Sequence, residues 1–194
     1  MNFILFLLPL VFAFPSLELS FEDESQGLLA VQVVGRQQEF LEQCVSNGLE
    51  VRYRYHFELC KRRGYWFDGC LKGRREIHRL NFDPISETYK ITVDRHRDGA
   101  DPSSQVFDSL DAAVSEMSRV KSLPVDFLSH GDVGYLTGKN AYLSVRVESR
   151  CRGDYNKTLA RISYFLSLGL VEIPGFDSGW VDFTLPGGRY PNKE

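Results

Sequence analysis

The chain has 194 residues, enough for one domain with a full core and marginal for two. Its 43% hydrophobic and 25% charged residues exclude bulk disorder, and a formal net charge of −3 excludes a global affinity for nucleic acid. Aromatic residues make up 13%, a share that suits pleated, half-buried strands and leans the fold toward β.

Phe3 to Phe14 is an apolar run interrupted by Pro9. It is short for a transmembrane helix and has the length of the apolar core of a secretory signal, with Val11 and Ala13 placed for a cut before Phe14. Residues 1–16 are therefore expected to be a signal peptide or an N-terminal membrane anchor, with a buried N-terminal strand or helix as the plainer alternative. Residues 17–26 carry Glu18, Glu22, Asp23 and Glu24 and read as an acidic lead-in. Residues 27–186 are expected to form a single β-rich domain, and residues 187–194 a polar tail.

Within that domain Leu28–Val34 is a predicted strand ended by Gly35. Gln37–Asn47 is a predicted helix with Phe40, Leu41, Cys44 and Val45 at helical spacing and Gly48 placed for a left-handed cap. The next strand has the clearest alternation: Val51, Tyr53, Tyr55, Phe57 and Leu59 against Arg52, Arg54, His56, Glu58 and Cys60. An aromatic loop, Gly64–Gly69, leads to strands at Arg75–Phe82 and Tyr89–Val93 about the turn Asp83-Pro84-Ile85-Ser86, giving a three-strand meander. His96–Ser104 reads as a loop. A second helix is predicted from Asp108, taken as its cap, with Leu110, Ala113, Val114, Met117 and Val120 on one stripe. Pro124 closes that segment. Val125–Leu128, Ala141–Val147 and Trp180–Leu185 are further strand candidates, and Leu159–Pro174 cannot be typed by period. The expected fold class is mainly β, α+β in detail: an antiparallel β-sandwich or curved sheet of six to seven strands with two short helices.

A string of features follows in order. The helix ending Asn47-Gly48 runs into the alternating strand that ends Phe57-Glu58-Leu59. Tyr65-Trp66-Phe67-Asp68 follows, then the Arg-rich strand Arg74–Leu80, the segment Ser86–Ile91, Phe107–Ala113 with Arg119-Val120, and Trp180 before a closing strand. This order resembles the bacterial envelope family DUF4390. It covers residues 28 to 185, and residues 49 to 120 are its specific part. The flanking cysteines and Arg150–Asp154 depart from the pattern. The resemblance implies an exported or membrane-tethered protein, often encoded beside a membrane sensor kinase, and it carries over no catalytic residues.

Chemical motifs fail on context. His96-Arg97-Asp98 lacks the remainder of a kinase signature, Gly134–Lys139 lacks the spacing of a phosphate loop, and Arg152-Gly153-Asp154 and the sequon Asn156-Lys157-Thr158 are short strings that recur by chance. The four histidines, His56, His78, His96 and His130, have no metal-ligand spacing, although His56 and His78 could approach one another if their strands pair. No catalytic, cofactor or metal residues are assigned. Paired carboxylates are plentiful, so an envelope hydrolase is the rival class, and a lipid- or cell-wall-binding structural protein a third. Four cysteines permit two disulfides; Cys60 and Cys70, on either side of the aromatic loop, suit a cross-hairpin bridge, and Cys44 suits a free buried thiol equally.

One cluster stands out. Between Arg52 and Arg79 there are nine Lys or Arg against three acidic residues, around the aromatic Tyr65-Trp66-Phe67. Arginine with exposed aromatics is the composition of interface anchors, and also suits an anionic lipid surface. The plainer reading is a solvated strand face with Trp66 folded back on the core. The functional expectation is a periplasmic accessory module, possessing no enzymatic activity, that docks on a membrane or envelope protein such as a sensor kinase. Tyr65 or Trp66 would be the buried anchor and Arg74 and Arg75 would pair with acidic groups on the partner, with Arg52 and Arg54 also on the contact surface.

Overall fold

The computed structural model describes residues 15–23, 28–35, 38–64, 67–71, 73–95, 101–124, 128, 140–152 and 175–185. The readings of residues 1–14, Tyr65, Trp66, His96–Asp98, His130, Gly134–Lys139, Gly153–Pro174 and the tail from Gly187 lie outside them, as do residues 125–127.

The described chain is mainly antiparallel β, with strands β1 (Ser16–Asp23), β2 (Leu28–Val34), β3 (Glu50–Lys61), β4 (Gly69–Cys70), β5 (Arg74–Asp83), β6 (Thr88–Arg95), β7 (Ser103–Phe107), β8 (Arg119–Pro124), β9 (Ala141–Arg152) and β10 (Val181–Thr184). Helix α1 (Gln38–Ser46) precedes β3 and α2 (Leu110–Met117) precedes β8. The strands form a three-stranded sheet, β1-β2-β8, and a seven-stranded sheet ordered β10-β9-β3-β5-β6-β7, with β4 hydrogen-bonded to β3. The large sheet matches the upper end of the expected strand number, and the small sheet comes in addition to it.

Alternation decides which face of the large sheet is core. Val51, Tyr53, Tyr55, Phe57 and Leu59 of β3 lie beside Leu143, Val145 and Val147 of β9, all at most 1% exposed. They share one apolar cluster with Leu29, Val31 and Val33 of β2, Leu41 and Cys44 of α1, and Ala113 and Met117 of α2. The small sheet and both helices thus contribute to the core that the inner face of the large sheet builds.

The described part of the acidic lead-in, through Asp23, belongs to strand β1. Leu17 is buried and Leu19 half-buried, while Glu18 and Ser20 between and beyond them are exposed, a period-2 pattern that pairs β1 with β2 along its length. Glu22 has a specific task there. Its carboxylate accepts hydrogen bonds from the amide and hydroxyl of Ser122 and from Arg119. Ser122 adopts a left-handed φ of 52°, a conformation that costs a non-glycine residue energy and that these bonds offset. The acidic run that suggests solvation therefore includes a clamp across the small sheet.

Other boundaries also move. The loop expected over His96–Ser104 gives way to β7 at Ser103, an edge strand whose exposed Ser103, Ser104, Gln105 and Val106 carry no burial pattern to read. Strand β9 runs five residues beyond Val147, because Arg146, Glu148 and Arg150 face outward while Val147 and Ser149 face in. Helix α2 is capped by Ser109 rather than Asp108: the Ser109 hydroxyl accepts from the Ala112 amide at 3.3 Å. Gly48 takes the left-handed φ of 67° expected after α1, and the amides of Gly48 and Leu49 close onto the carbonyls of Val45 and Cys44.

Two disulfides tie these parts together. Cys44 of α1 is bonded to Cys151 of β9, in place of the free thiol considered for it, and Cys60 is bonded to its cross-strand neighbour Cys70.

The tyrosines of β3 carry a pH dependence. Burial raises the phenols of Tyr53 and Tyr55 above the ordinary value of 10.0. Because the folded values lie above the unfolded one, the stability they contribute is complete below the ordinary value and is lost as pH rises through the folded values. An alkaline titration followed by ultraviolet absorbance is expected to show the phenolate signal of these two residues only together with loss of the native circular dichroism. Their ionisation in protein that keeps its native spectrum would contradict this.

Candidate functional site

The outer face of the large sheet gathers the charged half of each alternating strand. In one cross-strand row Arg52 of β3 stands between Arg150 of β9 and Arg79 of β5; in the next, Arg54 stands between Glu148 and Ile77; in the third, His56 stands between Arg146 and Arg75. Six arginines thus meet on three adjacent strands, with Glu148 the only acid in these rows.

Most of these guanidinium groups are engaged. Arg52 pairs with Glu50 at 2.6 Å, Arg79 with Asp94 at 3.1 Å, Arg146 with Asp177 at 2.6 Å and with Glu148 at 3.1 Å, and Arg150 with Glu148 at 3.5 Å. Among the described residues Arg54 and Arg75 have no ion-pair partner. Arg54 is half-buried, and desolvation together with the charges of Arg52, Arg150 and Arg75 lowers its pKa from the usual arginine value. His56 beside it is lowered as well, first by desolvation, with Arg75, Arg146 and Arg54 adding to the effect and Glu148 opposing it.

An aromatic wall stands at one end of the third row. Trp180, 46% exposed, meets the His56 ring edge-on with centroids 6.5 Å apart. The segment carrying it is held against β9: the Ser149 amide donates to the Phe176 carbonyl, the Phe176 amide to the Ser149 hydroxyl, and the Ser178 amide to the Val147 carbonyl. Gly175 passes so close to the Ser149 carbonyl that an added Cβ would lie 1.8 Å from its oxygen, so only glycine fits there.

The aromatic loop is anchored beside this face. The Tyr142 hydroxyl and the Arg63 amide both donate to the Asp68 carboxylate, and the Arg62 guanidinium lies 5.4 Å from the Tyr142 ring centre. The bond from Tyr142 lowers the Asp68 carboxyl, and the same bond pushes the phenol up to about 12. With the Cys60–Cys70 bridge, these contacts fix the base of the loop and leave Phe67 96% exposed.

Of the predicted contact residues, Arg52, Arg54 and Arg75 share the outer face. Arg74 does not: it stands opposite Phe57, on the other side of the sheet from its neighbour Arg75, because successive strand residues alternate. Tyr65 and Trp66 are outside the described residues. The partners missed from sequence are Arg146 and Trp180, which lie 67 and 101 residues beyond Arg79, the end of the basic cluster. His56 and His78 do occupy paired strands but point to opposite faces, since His56 is opposite Arg75 and His78 opposite Tyr53.

A second polar cluster lies inside. His78 Nδ1 and the Tyr55 hydroxyl both donate to the Met117 carbonyl, at 2.9 and 2.8 Å, satisfying an acceptor at the end of α2. His78 Nε2 meets Glu76 Oε1 at 2.8 Å, and Arg95 reaches Glu76 Oε2 at 3.1 Å. Glu76 and His78 are 3% and 2% exposed. These bonds, with one from Arg95 to the Lys121 carbonyl, join β5, β3 and β6 to the α2–β8 junction. Elsewhere Glu58, Cys60 and Cys70 bring one ligand atom each within 4.8 Å of one another, but the disulfide holds both sulfurs. Among the described residues the carboxyls whose pKa departs from the ordinary value, Asp68, Asp83 and Asp177, are all lowered by hydrogen bonds.

Fold and site together define a two-sheet antiparallel β protein with a charged, solvent-facing sheet and a disulfide-tied core. A family model described as a domain of unknown function, DUF4390, matches residues 14–150, and the chain belongs to that family. No curated protein and no solved structure matches it.

Proposed function

We propose that this chain is a non-catalytic accessory module of the bacterial cell envelope that docks on a membrane protein, such as a sensor kinase, through the outer face of its seven-stranded sheet. The observation that carries this reading is the pair Arg54 and Arg75, unpartnered among the described residues on a face where the neighbouring arginines have carboxylates, beside the half-exposed Trp180. Arginine and tryptophan are the residue types that anchor protein interfaces. Acids interleaved among the arginines favour a protein surface with its own charge pattern over a uniformly anionic lipid surface. The apolar run Phe3–Phe14 and the two disulfides support an exported, oxidising setting, in the periplasm or tethered to the inner membrane.

Photocrosslinking residues placed at Ile77, opposite Arg54 on the outer face, and at Phe67 in intact cells test this. One discrete protein adduct is expected, with its yield lowered about tenfold by Arg54→Glu, the scale of one buried charge contact. Lipid adducts alone, or none from either position, would defeat docking on a protein.

A further inference from the structure

The docking reading, on which this inference rests, leaves open what the face recognises. Arg75 stands directly opposite His56, two residues from Arg54, so the two arginines that have no ion-pair partner among the described residues are diagonal neighbours across β3 and β5. Such diagonal positions are about 7–8 Å apart. Carboxylates on alternate residues of an extended chain are separated by about 6.7 Å and point the same way. The neighbouring arginines cannot substitute, since Arg52, Arg79 and Arg146 are already in ion pairs.

We propose that Arg54, His56 and Arg75, walled by Trp180, are a recognition site for an extended acidic segment of the partner, with two carboxylates spaced two residues apart. Each carboxylate takes one guanidinium, and the chain between them lies over His56 and against the indole. The groups that face His56 are Arg54 on its own strand, Arg75 from β5, Arg146 and Glu148 from β9, and Trp180 from the segment before β10. In the free protein desolvation, and after it the three arginines, disfavour the imidazolium. Two bound carboxylates reverse that balance, so seating the segment draws a proton from solvent onto His56. Affinity therefore rises as pH falls through the bound-state pKa of His56 and levels off below the free-state value.

The test uses the intact protein with two acetylated, amidated pentapeptides of equal charge, Thr-Glu-Thr-Glu-Thr and Thr-Glu-Glu-Thr-Thr. The indole resonance of Trp180 is followed by NMR and told apart from that of Trp66 with a Trp66→Phe variant. The spaced peptide is expected to bind more tightly, about tenfold, by the contribution of one more charge contact. Arg54→Gln and Arg75→Gln should each remove that preference. Binding of the spaced peptide should strengthen from pH 8 to pH 6, where its glutamates stay ionised, and His56→Gln should flatten the profile while native spectra are kept. Equal binding of the two peptides, an unmoved Trp180 signal or no binding at millimolar concentration would overturn the inference, even if cells yield a protein adduct. Vesicles of phosphatidylglycerol form a further arm; if they shift Trp180 and the peptides do not, the anion recognised is a lipid headgroup and the inference is overturned. Absence of any cellular adduct tells separately against docking itself.

Discussion

Changing Cys44 and Cys151 together to alanine is expected to lower the unfolding free energy by about 4–5 kcal/mol, the chain-entropy value for a loop near a hundred residues. The bridge spans 107 residues and joins α1 to the far end of β9, across most of the domain. Changing Cys60 and Cys70 should cost less, about 3 kcal/mol or below, because that bridge closes a separation of 10 between strands already hydrogen-bonded. Urea unfolding of the three proteins, each followed by fluorescence and circular dichroism, gives the comparison. Equal losses would mean that packing around the sulfurs outweighs loop closure. Cys44 is fully buried, so its replacement also leaves a small void in the core.

The second large effect is expected at Glu76. Glu76→Ala removes the partner of both His78 and Arg95 from a site 3% exposed and should destabilise the fold by about 3–5 kcal/mol. Tyr55→Phe, which deletes one of the two donors to the Met117 carbonyl, should cost about 1 kcal/mol, since His78 still satisfies that acceptor. A double variant of Glu76 and His78 should lose less than the two single changes summed, because each single change strands the other group. Additive losses in equilibrium unfolding would show that the two residues act independently. The cluster joins the large sheet to the end of α2, so hydrogen exchange at α2 and β8 should rise first in Glu76→Ala.

How far the sequence could be read depended on whether a residue's neighbours along the chain reveal its surroundings. Strand β3 was legible because its large apolar residues and its polar ones keep strict alternation over nine positions, Val51 to Leu59; Cys60, expected on the exposed face, is buried and disulfide-bonded to Cys70. Helix α1 and its Gly48 cap were legible for the same local reason. Strand β5 was recognisable as a strand, but its facing was not: Ile77 lies on the outer face while Glu76 and His78 lie within. No periodicity reveals that inversion, because what makes two polar residues tolerable inside is a carbonyl from α2 and an arginine from β6. The basic cluster was visible as composition, but its split between Arg74 and Arg75 followed from strand parity, and its aromatic neighbour Trp180 came from the far end of the chain.

By itself the sequence determined what is local: a mainly antiparallel β chain, two short helices, the cap at Gly48, and the family, read from an ordered string of residues. The tertiary structure decided what is non-local: the second sheet built on an acidic strand, the Cys44–Cys151 tie, the inward Glu76–His78 pair, and the meeting of Arg54, His56 and Arg75 with Trp180. The physical reason is that propensity and periodicity act over a few neighbouring residues. Pairing order, burial of charge and the chemistry of a sheet face depend on which distant strands come to lie side by side.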